Sequence, residues 1–208
     1  MSRDRLIFGA LFGAGLAVMG GYYLSTLPGA ADAQTPVADG PGPNLEIDVA
    51  GEANGTIVID LLPEVAPLHV AQITALARMD AYDNVVFHRV IDGFMAQTGD
   101  TEFGRVDGDL RMAGRGGSEL GQLAAEFSDI PYERGIVGMA RSASPDSANS
   151  QFFIMFGPAP SLNGQYTVVG RVIAGMDVVD AIKRGDQGQN GVVVEAPDVM
   201  TDVRVIDQ

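Results

Sequence analysis

The sequence predicts a mainly β fold with two helices, arranged as a closed or nearly closed barrel. Three observations carry this. Short segments with apolar residues at every second position recur along the chain, which is the period of a strand. Glycine and proline are frequent, 27 and 11 of 208 residues, and suit many tight turns between short strands. Only two stretches have helical spacing. A barrel removes exposed strand edges, although composition fits a sandwich of two sheets equally well.

The N-terminus stands apart from this pattern. Residues 2–5 (SRDR) precede an uncharged stretch of 19 residues from Leu6 to Leu24, followed by Ala31-Asp32-Ala33. A basic start, an apolar run and a small-x-small site make a secretory signal. The run is longer than a usual signal core and close to the ~20 residues of a spanning helix. A cleaved signal peptide and a single-helix membrane anchor, both within residues 1–33, are therefore equal readings. Arg3 and Arg5 place the rest of the chain outside the cytoplasm, so the expected location is the periplasm, free or held at the inner membrane by residues 6–24. Residues 34–44 read as a Pro/Gly-rich linker, and residues 45–208 as the globular domain.

Within that domain, Ile57, Ile59 and Leu61 alternate along a strand at 56–61. Pro67 suits a first helical turn, and Val70, Ile73 and Leu76 recur at helical spacing after it. Residues 85–91 are β-branched and aromatic, as in a strand. Residues 135–139, 151–156 and 166–172 read likewise. Residues 175–183 (GMDVVDAIK) form the second helix, closed by Gly185. Residues 192–194 and 203–206 read as final strands.

Several chemistries are excluded. There is no cysteine, so disulfides, thiolate metal sites and thiol catalysis are absent. The net charge of −14 repels nucleic-acid phosphate. Two histidines cannot build a histidine-rich metal cluster, and no calcium-loop spacing is present. Gly114-Arg115-Gly116-Gly117 lacks the Lys-Ser/Thr of a phosphate loop and reads as a tight turn. A hydrolase would need His88 with Ser144, Ser147 or Ser150, but there is no G-x-S-x-G elbow. His88 reads as a structural histidine inside a strand, and His69 as a surface or capping residue.

An arginine beside an apolar cluster remains. On a strand, Arg89 and His88 point to opposite faces. Phe94, Met95 and Gln97 follow a turn at Asp92-Gly93. Gln151, Phe153 and Met155 share one face of their strand, and Phe152, Ile154 and Phe156 the other. From spacing alone these aromatics read first as core and Arg89 as a surface charge. A pocket beside Arg89, lined by Gln151 and Phe153, is the second reading.

Residues 87–100 (FHRVIDGFMAQTGD) closely resemble the signature of the cyclophilin peptidyl-prolyl isomerases. The likeness continues in 55–91, in 135–156 (GIVGMARSASPDSANSQFFIMF) and in 162–183, in the family's order. The resemblance covers about residues 45–208. It implies an eight-stranded antiparallel β-barrel capped by two α-helices, and catalysis of cis–trans isomerisation at X-Pro bonds. It implies Arg89 as the catalytic residue and Phe94, Met95, Phe153 and Leu162 as the proline pocket. Gln97 and Gln151 would hold the substrate backbone, Gly114 would border a neighbouring groove, and Ala140 and Arg141 would line the strand above the pocket. Tyr166 stands at the last pocket position, where histidine is frequent. No cofactor or metal is implied, and the partners are proline-containing polypeptide clients met by a monomer.

Three departures stand out. Arg141 replaces the asparagine that many members carry after Met-Ala. Ser161 stands where cyclosporin-sensitive members have tryptophan. Thirteen residues, 101–113, separate Asp100 from Gly114, several more than in short members. Arg141 and the 101–113 loop keep a second reading open, a proline-peptide binding or holdase module with weak catalysis.

Overall fold

A computed structural model of the chain describes residues 38–208. The apolar run at 6–24 and residues 34–37 lie outside them. Among the described residues, no helix is long and apolar enough to cross a membrane.

Nine strand segments form one sheet. They are β1 (Asn44–Ala50), β2 (Gly55–Leu61), β3 (Val85–Val86), β4 (Arg89–Ile91), β5 (Met95–Thr98), β6 (Ile136–Met139), β7 (Phe152–Met155), β8 (Val168–Ala174) and β9 (Val199–Ile206). Their order is β3-β9-β1-β2-β8-β6-β7-β5-β4, and every pairing is antiparallel. The two ends of this order, β3 and β4, are separated in sequence only by Phe87 and His88. Counted as one interrupted strand, they close the sheet into an eight-stranded barrel.

That interruption corrects the continuous strand expected over 85–91. The Phe87 amide carries the β9 pairing one residue further, donating to the Asp198 carbonyl at 2.9 Å, and the ladder stops there. The Val193 amide bonds the His88 carbonyl at 2.9 Å. A second correction concerns residues 192–194. Val192 makes only isolated bridges to Arg89 and Asp186, so this apolar run braces β4 rather than forming a strand.

Two helices accompany the sheet, α1 (Pro67–Arg78) and α2 (Met176–Ala181). Helix α1 begins at proline, whose missing N–H costs nothing in a first turn. Its exposed amides are capped from afar, because Glu126 accepts from the backbone N–H of Leu68 and His69, each at 3.1 Å. Of the two roles the sequence left for His69, the surface one is excluded, because His69 is fully buried, and its Nδ1 lies 2.6 Å from Glu126 Oε2 at the start of α1. Burial raises the Glu126 pKa, but the hydrogen bonds from the His69 ring and the two amides outweigh it and hold the carboxyl below its usual range.

Alternation divides the apolar residues into two clusters. Ile47, Ile57, Ile59, Phe152 and Ile154 belong to the main core with α1. Met95, Phe153, Met155, Tyr132 and Val168 form a second cluster on the opposite face. Asp60 on β2, fully buried, faces Arg171 on β8 and accepts from its guanidinium at 2.9 Å. The Gly40 amide donates to the same carboxylate and the Ala38 carbonyl accepts from Arg171, so residues 38–40 lie against the barrel.

Candidate active site

The second cluster opens on one side into a small recess of about 170 Å³. Four strand positions build it in a row. Arg89 on β4 pairs with Gln97 on β5, Gln97 with Phe153 on β7, and Phe153 with Gly138 on β6. Phe153 needs Gly138 beside it, because a Cβ there would lie 2.6 Å from the ring. The Phe153 ring stacks on Tyr132 at 5.8 Å and meets Tyr166 edge-on at 6.0 Å. Met95 forms the buried floor, and Phe94, Leu162 and Ala140 line the walls. Two guanidinium groups, Arg89 and Arg141, stand at this recess, and among the described residues no carboxylate lines it.

Arg89 is half-buried and tightly held. Its Nε donates to the Asn190 carbonyl, its Nη2 to Asn190 Oδ1 and its Nη1 to Gln97 Oε1, each at 3.0 Å. Nη1 also lies 3.9 Å from Met95 Sδ, a weak acceptor. Three of its five N–H groups are thereby used and two are left for a better acceptor. Burial lowers its pKa from the ordinary value, yet an arginine stays charged in a protein. The chain of bonds continues outward. Gln97 Nε2 donates to Gln151 Oε1 at 2.9 Å, and Gln151 Nε2 to the Gly116 carbonyl at 2.8 Å.

Nine of the eleven residues that the resemblance points to line this recess: Arg89, Phe94, Met95, Gln97, Ala140, Arg141, Phe153, Leu162 and Tyr166. The other two, Gly114 and Gln151, line a wider groove of about 830 Å³ that shares Gln97, Ala140 and Arg141 with it. Gly114 has φ +90°, and a Cβ there would approach the His88 ring to 3.1 Å.

Sequence reasoning missed two members of the site. Asn190 fixes Arg89, and only its place in a Gly-rich turn (QGQNG) hinted at a special conformation; its φ is +57°. Asp100 is fully buried and ties both ends of the 101–113 loop. Its Oδ1 accepts from the amides of Glu102 and Phe103, at 3.1 and 2.9 Å. Its Oδ2 accepts from those of Gly114 and Gly116, at 2.7 and 3.0 Å. An acidic residue next to a glycine-rich turn was the available signal.

His88 faces away from the recess. Neither ring nitrogen has a hydrogen-bond partner among the described residues. Burial lowers its pKa to about 4, with the Asp100 charge and the nearby Val86 and Gln151 opposing in part. Ser150, equally buried, does not bond it. A Ser-His hydrolytic set is not assembled.

The family model described as cyclophilin type peptidyl-prolyl cis-trans isomerase/CLD matches residues 45–205. The chain belongs to the cyclophilin family. This cyclophilin is 58% identical over 142 residues to a probable peptidyl-prolyl cis-trans isomerase of Brucella suis, covering 67% of this chain and 72% of that protein. It is 39% identical over 134 residues to a peptidyl-prolyl cis-trans isomerase-like 3 of Dictyostelium discoideum, covering 62% and 77% respectively. Among solved structures, a Cryptosporidium parvum cyclophilin crystallised in the presence of the dipeptide Ala-Pro superposes with a TM-score of 0.65 at 25% identity, covering 79% of this chain and 99% of that one. The mainly antiparallel β fold with two helices is thus the cyclophilin fold, and the chain is a cyclophilin-type peptidyl-prolyl cis-trans isomerase.

Proposed function

We propose that this isomerase works on X-Pro bonds of exported proteins, with Arg89 as the catalytic residue and no covalent step. The observation that carries the mechanism is one guanidinium fixed by three hydrogen bonds at the edge of an apolar recess of about 170 Å³, the scale of a prolyl ring.

Rotation about a peptide bond has a barrier of about 18–20 kcal/mol, set by amide resonance. No bond breaks, so no nucleophile, metal or proton shuttle is needed. In the twisted state the prolyl nitrogen becomes pyramidal and regains a lone pair. A donor aimed at that lone pair stabilises the twisted state above either planar one, and only such differential binding accelerates the step. Arg89 has N–H groups to give, and Gln97 and Asn190 hold its plane before substrate arrives. One preorganised donor supplies about 3–4 kcal/mol by analogy with oxyanion holes. An acceleration of roughly 10⁵ requires about 7 kcal/mol. The balance falls to Phe94, Met95, Phe153 and Leu162, which grip the ring and exclude water while the acyl part turns. Gln97 and Gln151 hold the substrate backbone.

The reading of export rests on the basic start, the apolar run at 6–24 and the small-x-small site. Fractionation of cells expressing the full-length chain, with the mass of the mature protein, tests it. Periplasmic protein lacking residues 1–33 supports a cleaved signal, membrane-bound intact protein supports an anchor, and cytoplasmic protein overturns export.

Exchange NMR of an Ala-Pro peptide with the full-length chain tests the mechanism. Arg89→Ala should lower kcat/KM about 10²- to 10³-fold and leave the melting temperature nearly unchanged. Retained turnover in that variant overturns the role of Arg89. No acceleration by the folded wild-type chain moves the reading to a proline-peptide binding module.

A further inference from the structure

The chain is strongly acidic, yet its recess is cationic. Of the eleven lysines and arginines in residues 38–208, seven lie within ion-pair distance of a carboxylate. The other four are Arg89, Arg115, Arg141 and Lys183. Three of these four line the proline recess or the groove beside it, and Lys183 does not. Arg141 alone of these three is neither assigned to the twisted nitrogen nor confined to the wide groove. It borders both cavities.

Arg141 is pinned without being neutralised. Its Nε and Nη2 donate to the Gln165 carbonyl at 3.3 and 3.0 Å, and its Nη1 donates to the Ser142 carbonyl at 3.0 Å. Its guanidinium carbon lies 4.3 Å from the centre of the Tyr166 ring. Carbonyls and an aromatic face fix the group in place, but they leave its full charge and two N–H groups unpaired. A preordered cation loses less side-chain freedom on meeting an anion. At physiological salt the Debye length is about 8 Å, so carboxylates elsewhere on the surface do not cancel it. Glu102 and Glu119 line the wide groove but not the proline recess. Arg141 is one of three residues, with Gln97 and Ala140, that border both cavities, so an extended peptide spanning recess and groove runs beside it.

We infer that Arg141 selects substrates carrying an acidic side chain close to the isomerising proline, through an ion pair at the rim between recess and groove. This rests on the reading of the recess as the proline site. Charge at this rim acts equally on cis, twisted and trans forms, so the preference belongs to KM rather than kcat.

The test uses short Pro peptides with Glu or Lys placed singly at each of the two positions before and after the proline, and the full-length chain. Exchange NMR gives kcat/KM, and chemical-shift titration gives affinity independently of turnover. Glu should exceed Lys by about three- to tenfold at one or more positions, carried by KM and shrinking as salt is raised. The readout is the Glu/Lys ratio within each enzyme, which cancels any change in absolute rate. Arg141→Gln should bring the ratio to about one, and Arg141→Lys should keep part of it. A ratio near one at all four positions in the wild type, or an unchanged ratio in Arg141→Gln, overturns the inference. A Glu-over-Lys affinity that depends on Arg141, with no acceleration of any peptide, would overturn the isomerase mechanism and keep the acidic selection.

Discussion

Strand β7 places two phenylalanines side by side, and they belong to different parts of the molecule. Phe152 and Ile154 point into the barrel, where Phe152 meets Tyr82 edge-on at 5.7 Å. Phe153 and Met155 point out to the second cluster, where Phe153 walls the small recess. Both phenylalanines are buried, at 1% and 5% exposure, so burial does not separate them. The distinction lies in what surrounds each ring. Phe152 is enclosed on every side, whereas Phe153 borders a cavity already open to water. One face of a strand holds the fold, and the other is available for work.

Truncation should separate these roles. Phe152→Ala leaves a sealed void and should destabilise by about 3–5 kcal/mol in urea unfolding. A loss below about 1 kcal/mol would break the comparison. Phe153→Ala only widens an open recess. It should cost about 2 kcal/mol of stability, below the full cavity cost, while lowering kcat/KM about ten- to a hundredfold, measured on the folded fraction.

His88 carries the same contrast into pH. His88 is held neutral, with its pKa lowered to about 4 against an unperturbed value near 6.5. Between those values the unfolded chain takes up a proton that the folded chain refuses. Stability is therefore full above about pH 6.5 and falls as pH drops toward 4, by up to about 3 kcal/mol. His88→Phe should lose less stability than wild type over that window, and equal losses would show that His88 does not set the slope. Glu126 has a partner where His88 has none. Glu126→Gln keeps the shape but removes the charge that meets His69 and the α1 amides, and should cost about 1–2 kcal/mol at neutral pH, read as a shift in the urea midpoint.

Much of the fold was legible because Ile57, Ile59 and Leu61 recur at every second position of β2, because residues 152–155 form an apolar run of strand length, and because Pro67 and Gly175 mark helix starts. The break at Phe87-His88 was hidden, since an aromatic and a buried histidine continue a strand pattern without a visible interruption. Residues 192–194 misled for the opposite reason, because three valines have strand propensity with no ladder to join. Strand β1 was hard to see beside the Pro/Gly-rich stretch that precedes it. The recess was a different case. Spacing alone left Arg89 as a surface charge, and only the resemblance at 87–100 singled it out. Asn190 reaches Arg89 from a turn far along the chain, and the Asp100 carboxylate gathers amides from both ends of the 101–113 loop, and no local period records such contacts.

The order of strands has a consequence for how the chain must fold. β9 follows every other strand of this sheet in sequence, yet it lies between β1 and β3, and Leu45 sits opposite Val205. A chain lacking residues 199–206 cannot seal the barrel, however long it waits. Pairing residues so far apart in sequence incurs the loop-closure entropy late and slows folding. The protein that turns prolines for others thus reaches its own native state only once β9 is free to pair, and chains truncated before Val199 should stay open to protease.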